Sequence, residues 1–182
     1  LPEMVFAEII PAMVAGSVDI MANNIAITPE RAQLVAFSVP YMTGGDTLLV
    51  QASDTTDYRT LEDLRGLVVG TGRGTLFETI LNRNPTMFGE IRLYDTQPQA
   101  VEAMIRGEVK AALVSSTSFP YRLAQGDFAG AMLAANWQMV QPSPYGIAVR
   151  MSETELLAGI NASLSKLMGD GTVAAIFAKY GL

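Results

Sequence analysis

Met4, Val5, Ile9, Ala12 and Met13 recur at helical spacing around Glu8, and Gly16 offers a C-terminal cap. The pattern predicts a helix over 2–16, with Pro11 as a kink or a break. A short apolar run at 18–21 reads as a buried strand. Thr28, Pro29 and Glu30 then supply a capping hydroxyl, a first-turn proline and a first-turn acid. A short helix carrying Arg31 is expected to begin there. Residues 47–51 are apolar and extended.

From residue 60 the pattern alternates regularly. Thr60 caps and Gly66 stops a stretch of helix; strands are expected at 67–70, 91–94 and 109–114, and helices at 76–82 and 98–106, the second stopped by Gly107. A helix at 119–125, a strand at 132–135 and an extended run at 145–150 follow. Ser152 and Glu155 form a capping-box signature opening a helix to residue 168, and Asp170-Gly171-Thr172 begins a last one. This alternation implies an α/β fold with a mostly parallel sheet covered by helices on both faces. The runs at 47–51 and 145–150 bracket a self-contained block, so the simplest topology is two α/β lobes joined by two crossing strands.

Composition narrows the chemistry. With 49% apolar and 16% charged residues among 182, the chain is a packed globule and not a disordered one. Twelve basic against eighteen acidic residues give a net charge of −6 with no basic run, which argues against nucleic acid or an anionic membrane as partner. Cysteine and histidine are absent, which removes disulfides, thiolate nucleophiles, Cys/His metal sites and imidazole proton shuttles; no cofactor is expected. The uncharged stretch 128–149 is long enough to cross a bilayer but carries Asn136, Gln138, Gln141, Pro142 and Pro144, so it reads as loop and strand. The N-terminus has no basic region and no small-residue cleavage site after an apolar core, so no signal peptide is read there; a mature or a trimmed chain has this look.

Gly70 to Thr75, GTGRGT, stands where a strand hands over to a helix, a place that favours an anion. It is neither a Walker loop nor a GxGxxG fingerprint, since no Gly-Lys-Ser/Thr follows and position 75 is threonine. Its readings are an anion site formed by Arg73, Gly74, Thr75 and the backbone at Leu76, or an ordinary glycine turn. Ser163 and Lys166 match SxxK, but without SDN or KTG partners they read as a solvated helix face. The acid pairs Glu62/Asp63 and Glu153/Glu155 lie in first helical turns, where the helix dipole accounts for them. Arg31, one turn into a helix beside a strand's carboxyl end, either presents its planar fork to a carboxylate or makes a surface ion pair.

The stretches IIPAMVAGSVDIMANNIAITPERAQLVAFSVPY, TLEDLRGLVVGTGRGT, AVEAMIRGEVKAALV, PYGIAVR and INASLSKLMGDGTVAAIFAKYG occur in one order over nearly the whole chain. Together they resemble the periplasmic solute-binding proteins of the polar amino-acid ABC uptake type, extracellular solute-binding protein family 3, whose fold ionotropic glutamate receptor ligand-binding domains share. The resemblance implies a type II periplasmic binding protein-like clamp. Lobe one is expected from 1–46 plus 145–182 and lobe two from 53–142, with hinge strands at 47–52 and 143–150. It implies that Arg31 grips a ligand carboxylate, helped by the position five residues earlier and by Gly74 and Thr75 of the second lobe. It further implies a membrane permease as partner, a periplasmic location, a small carboxylate or amino acid as ligand, and no catalysis.

Three departures from the family pattern matter. The position five before the arginine, usually a hydroxyl side chain, is Ala26, which leaves only its backbone, with Asn24 as a substitute polar group. The aspartate that pairs with a ligand ammonium is replaced by Ser115, with Lys110 in place of an earlier acid. A buried ammonium without a carboxylate is costly, so a carboxylate lacking the ammonium, or a diacid that also uses Arg73, fits better than an ordinary α-amino acid. Finally, the family begins with a further β-α-β unit of at least about 30 residues. Without it lobe one is expected to be incomplete, with an apolar edge covered by a partner copy or a swapped element, or left bare. Rival readings are the sensory domain of a membrane receptor kinase and a periplasmic arogenate or prephenate dehydratase. The first calls for a downstream transmembrane segment and the second for a general acid that Ser115 does not supply.

Overall fold

The computed structural model describes residues 4–182, so residues 2 and 3 of the expected first helix lie outside it. In chain order the elements are α1 (Phe6–Val14), β1 (Ile20–Ala26), α2 (Pro29–Ala32), β2 (Val35–Phe37), β3 (Met42–Gly44), β4 (Asp46–Gln51), β5 (Val68–Gly72), α3 (Leu76–Asn82), β6 (Glu90–Tyr94), α4 (Gln97–Ile105), β7 (Ala111–Ser115), α5 (Phe119–Ala124), β8 (Ala131–Leu133), β9 (Ser143–Arg150), α6 (Thr154–Gly169) and α7 (Thr172–Ala178). Single 3-10 turns stand at Leu61–Leu64, where a helix was expected, and at Pro85–Met87.

The chain divides into two compact units. One holds the chain up to Ala7 and Gly45–Pro142; the other holds Glu8–Gly44 and Ser143–Leu182. The boundaries differ from those expected, because the strands read as hinges are built into sheets. The first, β4, lies between β7 and β8; the second, β9, is the central strand of its own sheet. Apolar runs such as Leu48 to Val50 are completely buried, and their backbone groups need ladder partners on both sides.

The first unit's sheet has the order β6-β5-β7-β4-β8. β5 runs parallel to β6 and β7, while β4 is antiparallel to both its neighbours. The sheet is therefore mixed, parallel only where strand and helix alternate in sequence. The helix α4 covers it, and Val101, Met104, Ala112 and Val114 are fully buried there with Leu49. Its start is set by a capping box: the Thr96 hydroxyl accepts the Gln99 N–H at 3.3 Å, and the Gln99 side-chain oxygen accepts the Thr96 N–H at 3.1 Å.

In the second unit β9 pairs antiparallel with β1, β2 and β3, so no parallel pair forms there. The register of β1 against β9 shifts between Met21 and Ile25, and Asn24 within that bulge has φ +58°. Nothing in the sequence marks β2 and β3, because three residues are too few to show a period. The Ser152–Glu155 capping box does not form. The cap is Glu153, whose carboxylate instead receives Arg150 Nη2 at 2.9 Å. One further tie reaches across the unit: Asn161 Oδ1 on α6 accepts the Val39 N–H at 2.8 Å.

Beyond the end of β4, the Asp54 carboxylate is 5% exposed and receives Lys110 Nζ at 2.8 Å and the Tyr58 hydroxyl at 3.2 Å. Burial alone would raise its pKa, but the hydrogen bonds from Lys110 and Thr56 outweigh it and bring the group from 3.8 down to about 2. A carboxyl lowered on folding stabilises the protein above its unfolded pKa and loses that stability as pH falls through the folded one. The shift corresponds to about 2 kcal/mol at neutral pH. Urea unfolding at pH 7 and at pH 2 is expected to show this loss in the wild type and a smaller one in Asp54→Asn. Equal losses in the two proteins would refute the assignment.

Candidate functional site

In the second unit, the Thr28 hydroxyl accepts the Arg31 N–H at 3.3 Å and Pro29 occupies the first turn, so α2 begins where the sequence indicated. That turn brings Arg31 back over the end of β1, where its Nη1 donates to the Ala26 carbonyl at 3.0 Å. The guanidinium is partly buried. Burial lowers its pKa from the ordinary value, with Tyr145 and Glu30 acting in the opposite sense. It stays a cation, anchored at one corner of a planar donor fork suited to a carboxylate. Asn24 has a different neighbour: its Oδ1 accepts the Tyr41 hydroxyl at 3.2 Å, and both line an apolar groove of about 310 Å³ with Ile147 and Phe177.

In the first unit, the parallel strands β5, β6 and β7 all end on one side, where crevices in α/β sheets form. A cavity of about 250 Å³ lies there, lined by Arg73, Thr75, Gln97 and Ser118 and bordered by Met4 and Phe6. Arg73 is about half exposed and loosely held, with Nη2 3.5 Å from the Leu93 carbonyl and Nε 3.9 Å from Asp95. Gly74 has φ +74°, and a Cβ there would stand 2.7 Å from Ala7, so both conformation and space call for glycine.

The corner satisfies much of its own hydrogen bonding. The Gly74 N–H donates to Glu78 Oε2 at 2.6 Å, so an acid inside the chain already sits where an incoming anion was expected. The Thr75 hydroxyl spends its single proton on the Gly72 carbonyl at 2.6 Å and accepts the Glu78 N–H at 3.3 Å. What Thr75 can still donate is its backbone N–H, which makes no hydrogen bond among the described residues.

Ser115, 7% exposed at the end of β7, donates its backbone N–H to Gln97 Oε1 at 2.8 Å. Its hydroxyl lies 2.9 Å from Thr117 Oγ1 and accepts the Thr117 N–H at 3.3 Å. The structure thus groups Ala26 with Arg31 in one unit, and Arg73, Gly74 and Thr75 around a cavity in the other, with Ser115 reaching that cavity's wall through Gln97. Sequence reading missed Gln97, Asp95 and Phe6. Gln97 owes its place to a bond with a residue 18 positions away, which leaves no local signal. Among the described residues no cluster of three or more acids could hold a metal, and no helix is long and apolar enough to cross a membrane.

Comparison with known proteins places the chain in a family. The model of the bacterial extracellular solute-binding proteins, family 3, matches residues 1–182. The chain is 30% identical over 166 residues to the L-cystine-binding protein TcyJ of Escherichia coli strain K12, covering 90% of this chain and 60% of that protein's length. An ancestral arginine-binding protein solved with bound glutamine superposes with a TM-score of 0.87 at 30% identity, covering 98% of this chain and 78% of the other. The ancestral amino acid-binding protein AncCDT-1, a precursor of cyclohexadienyl dehydratase, gives a TM-score of 0.86 at 28% identity, covering 99% and 76%. Two mixed α/β units fit this family, and this chain belongs to the bacterial extracellular solute-binding proteins of family 3.

Proposed function

We propose that the protein captures a small carboxylate-bearing solute, outside the cytoplasm, for delivery to the permease of an ABC importer. The residues proposed to hold it are Arg31 and the Ala26 backbone in the second unit and Arg73, Gly74, Thr75 and Ser115 in the first. The observation that carries this reading is the Arg31 guanidinium, partly buried and fixed on the Ala26 carbonyl. The amino-acid-binding relatives support it. A charged group held this way in a partly desolvated place has a stronger pull on an anion than a surface arginine has.

A thermal-shift screen of amino acids, keto acids and dicarboxylates tests it. A solute at about one hundred times its Kd stabilises the folded chain by about 2.7 kcal/mol, so a melting point raised by several degrees is expected for at least one acid. A panel with no shift at millimolar concentration would refute capture. The likeness to a dehydratase precursor favours one second reading, the dehydration of prephenate. That chemistry needs a general acid, and the neutral Ser115–Thr117 pair does not provide one. Release of phenylpyruvate from prephenate would decide for the enzyme.

A further inference from the structure

We propose that the solute carries an oxygen, a 2-oxo or 2-hydroxy group, where an amino acid carries its ammonium, and that Gln97 is the residue that reads it. The inference rests on the capture reading above, since it concerns the cavity of the first unit as part of the solute site.

The orientation of the Gln97 amide is fixed by chemistry. A backbone N–H can only donate, so the side-chain atom 2.8 Å from Ser115 N is the carbonyl oxygen. The NH2 group is then the donor that Gln97, one of the residues lining the cavity, still has to offer, since it makes no hydrogen bond among the described residues. Behind it, Ser115 Oγ accepts the Thr117 N–H and lies 2.9 Å from Thr117 Oγ1, so this pair of hydroxyls brings no charge to the wall. Among the described lining residues the one carboxylate is Asp95. Its side chain is 65% exposed beside Arg73, where water screens it and a cation is already at hand.

An ammonium brought to this wall meets donor against donor and gives up its hydration without a buried acceptor, a costly exchange. A carbonyl or hydroxyl oxygen meets a donor in need of a partner. Arg73 reinforces the preference, because it adds positive charge at the cavity's mouth. Discrimination by a site built to hydrogen-bond one group reaches large ratios, because the wrong ligand leaves polar groups unpaired.

Calorimetric titration of the purified chain with matched pairs, 2-oxoglutarate against L-glutamate and 2-oxoisocaproate against L-leucine, tests the proposal. The oxo acid is expected to bind at least tenfold more tightly in one pair or both. Gln97→Glu keeps an oxygen on the Ser115 N–H and turns the other oxygen into the cavity. It is expected to weaken the oxo acid at least tenfold and to strengthen the amino acid. Tighter binding of the amino acid by the wild type, or an equal loss for both members of a pair in Gln97→Glu, overturns the inference and leaves capture standing. If the wild type binds neither member of either pair and no acid in the thermal-shift panel stabilises it, capture itself fails and this inference with it. Should Gln97→Glu not fold, the wild-type ratio decides alone.

Discussion

Arg31→Met is expected to weaken binding of the captured acid by roughly ten- to a hundredfold or more, since each charge-assisted contact contributes roughly 1.5–3 kcal/mol. Methionine has a similar reach and no charge, so the partly buried position is filled and the loss falls on the ligand, not on the fold. The bond from Nη1 to the Ala26 carbonyl at 3.0 Å is given up, at a strand end whose Cα partner on β9 is Tyr145. Arg31→Lys separates charge from geometry. It keeps a cation but replaces a planar fork with a point charge, and is expected to recover only part of the affinity. Titration calorimetry on the three proteins measures this, with far-UV circular dichroism as the check on folding. An unchanged Kd in Arg31→Met would remove Arg31 from the site.

Asp46→Ala should cost the first unit roughly 3–5 kcal/mol, since it strips a buried carboxylate of its role as common acceptor and leaves donors unpaired. Asp46 is 1% exposed and opens β4. Its two oxygens accept Trp137 Nε1 at 2.8 Å, the Val140 N–H at 3.0 Å and the Gln141 N–H at 3.1 Å. One side chain thus holds the segment that precedes β9 against the start of β4. Set against the roughly 5–15 kcal/mol that stabilises a typical domain, the expected loss is large. Trp137 is the only tryptophan in the chain, so its fluorescence during urea unfolding reports on this place directly. A loss below about 1 kcal/mol would mean that water replaces the carboxylate without penalty.

The elements that could be read from sequence are those whose causes are local. The helix expected at 76–82 is α3, bounded as read, because Thr75 caps it and the apolar positions repeat. The helix carrying Arg31 begins at Pro29 for the same kind of reason. β1 is longer and later than the apolar run at 18–21, since its pairing with β9 resumes at Ile25 and Ala26 beyond a bulge that holds the polar pair Asn23 and Asn24. A capping signature at Ser152 does not produce a cap, because Arg150 claims Glu153 and the helix starts from there. At the candidate site, residue types picked out Arg31, Arg73, Gly74 and Thr75. They did not reveal that Glu78 answers Gly74 or that Gln97 answers Ser115, facts of three-dimensional pairing that side-chain chemistry alone does not encode.

The bond from the Gly74 N–H to Glu78 gives the glycine-threonine corner a resident acid. On the capture proposed above, an acid arriving there takes part in a trade, one carboxylate leaving the amide for water as another comes in. The free energy gained at that point is the difference between two similar contacts, so tight retention has to come from the partners that have no such understudy. On the same proposed reading, Glu78 is the acceptor at hand for the amide once the solute has gone.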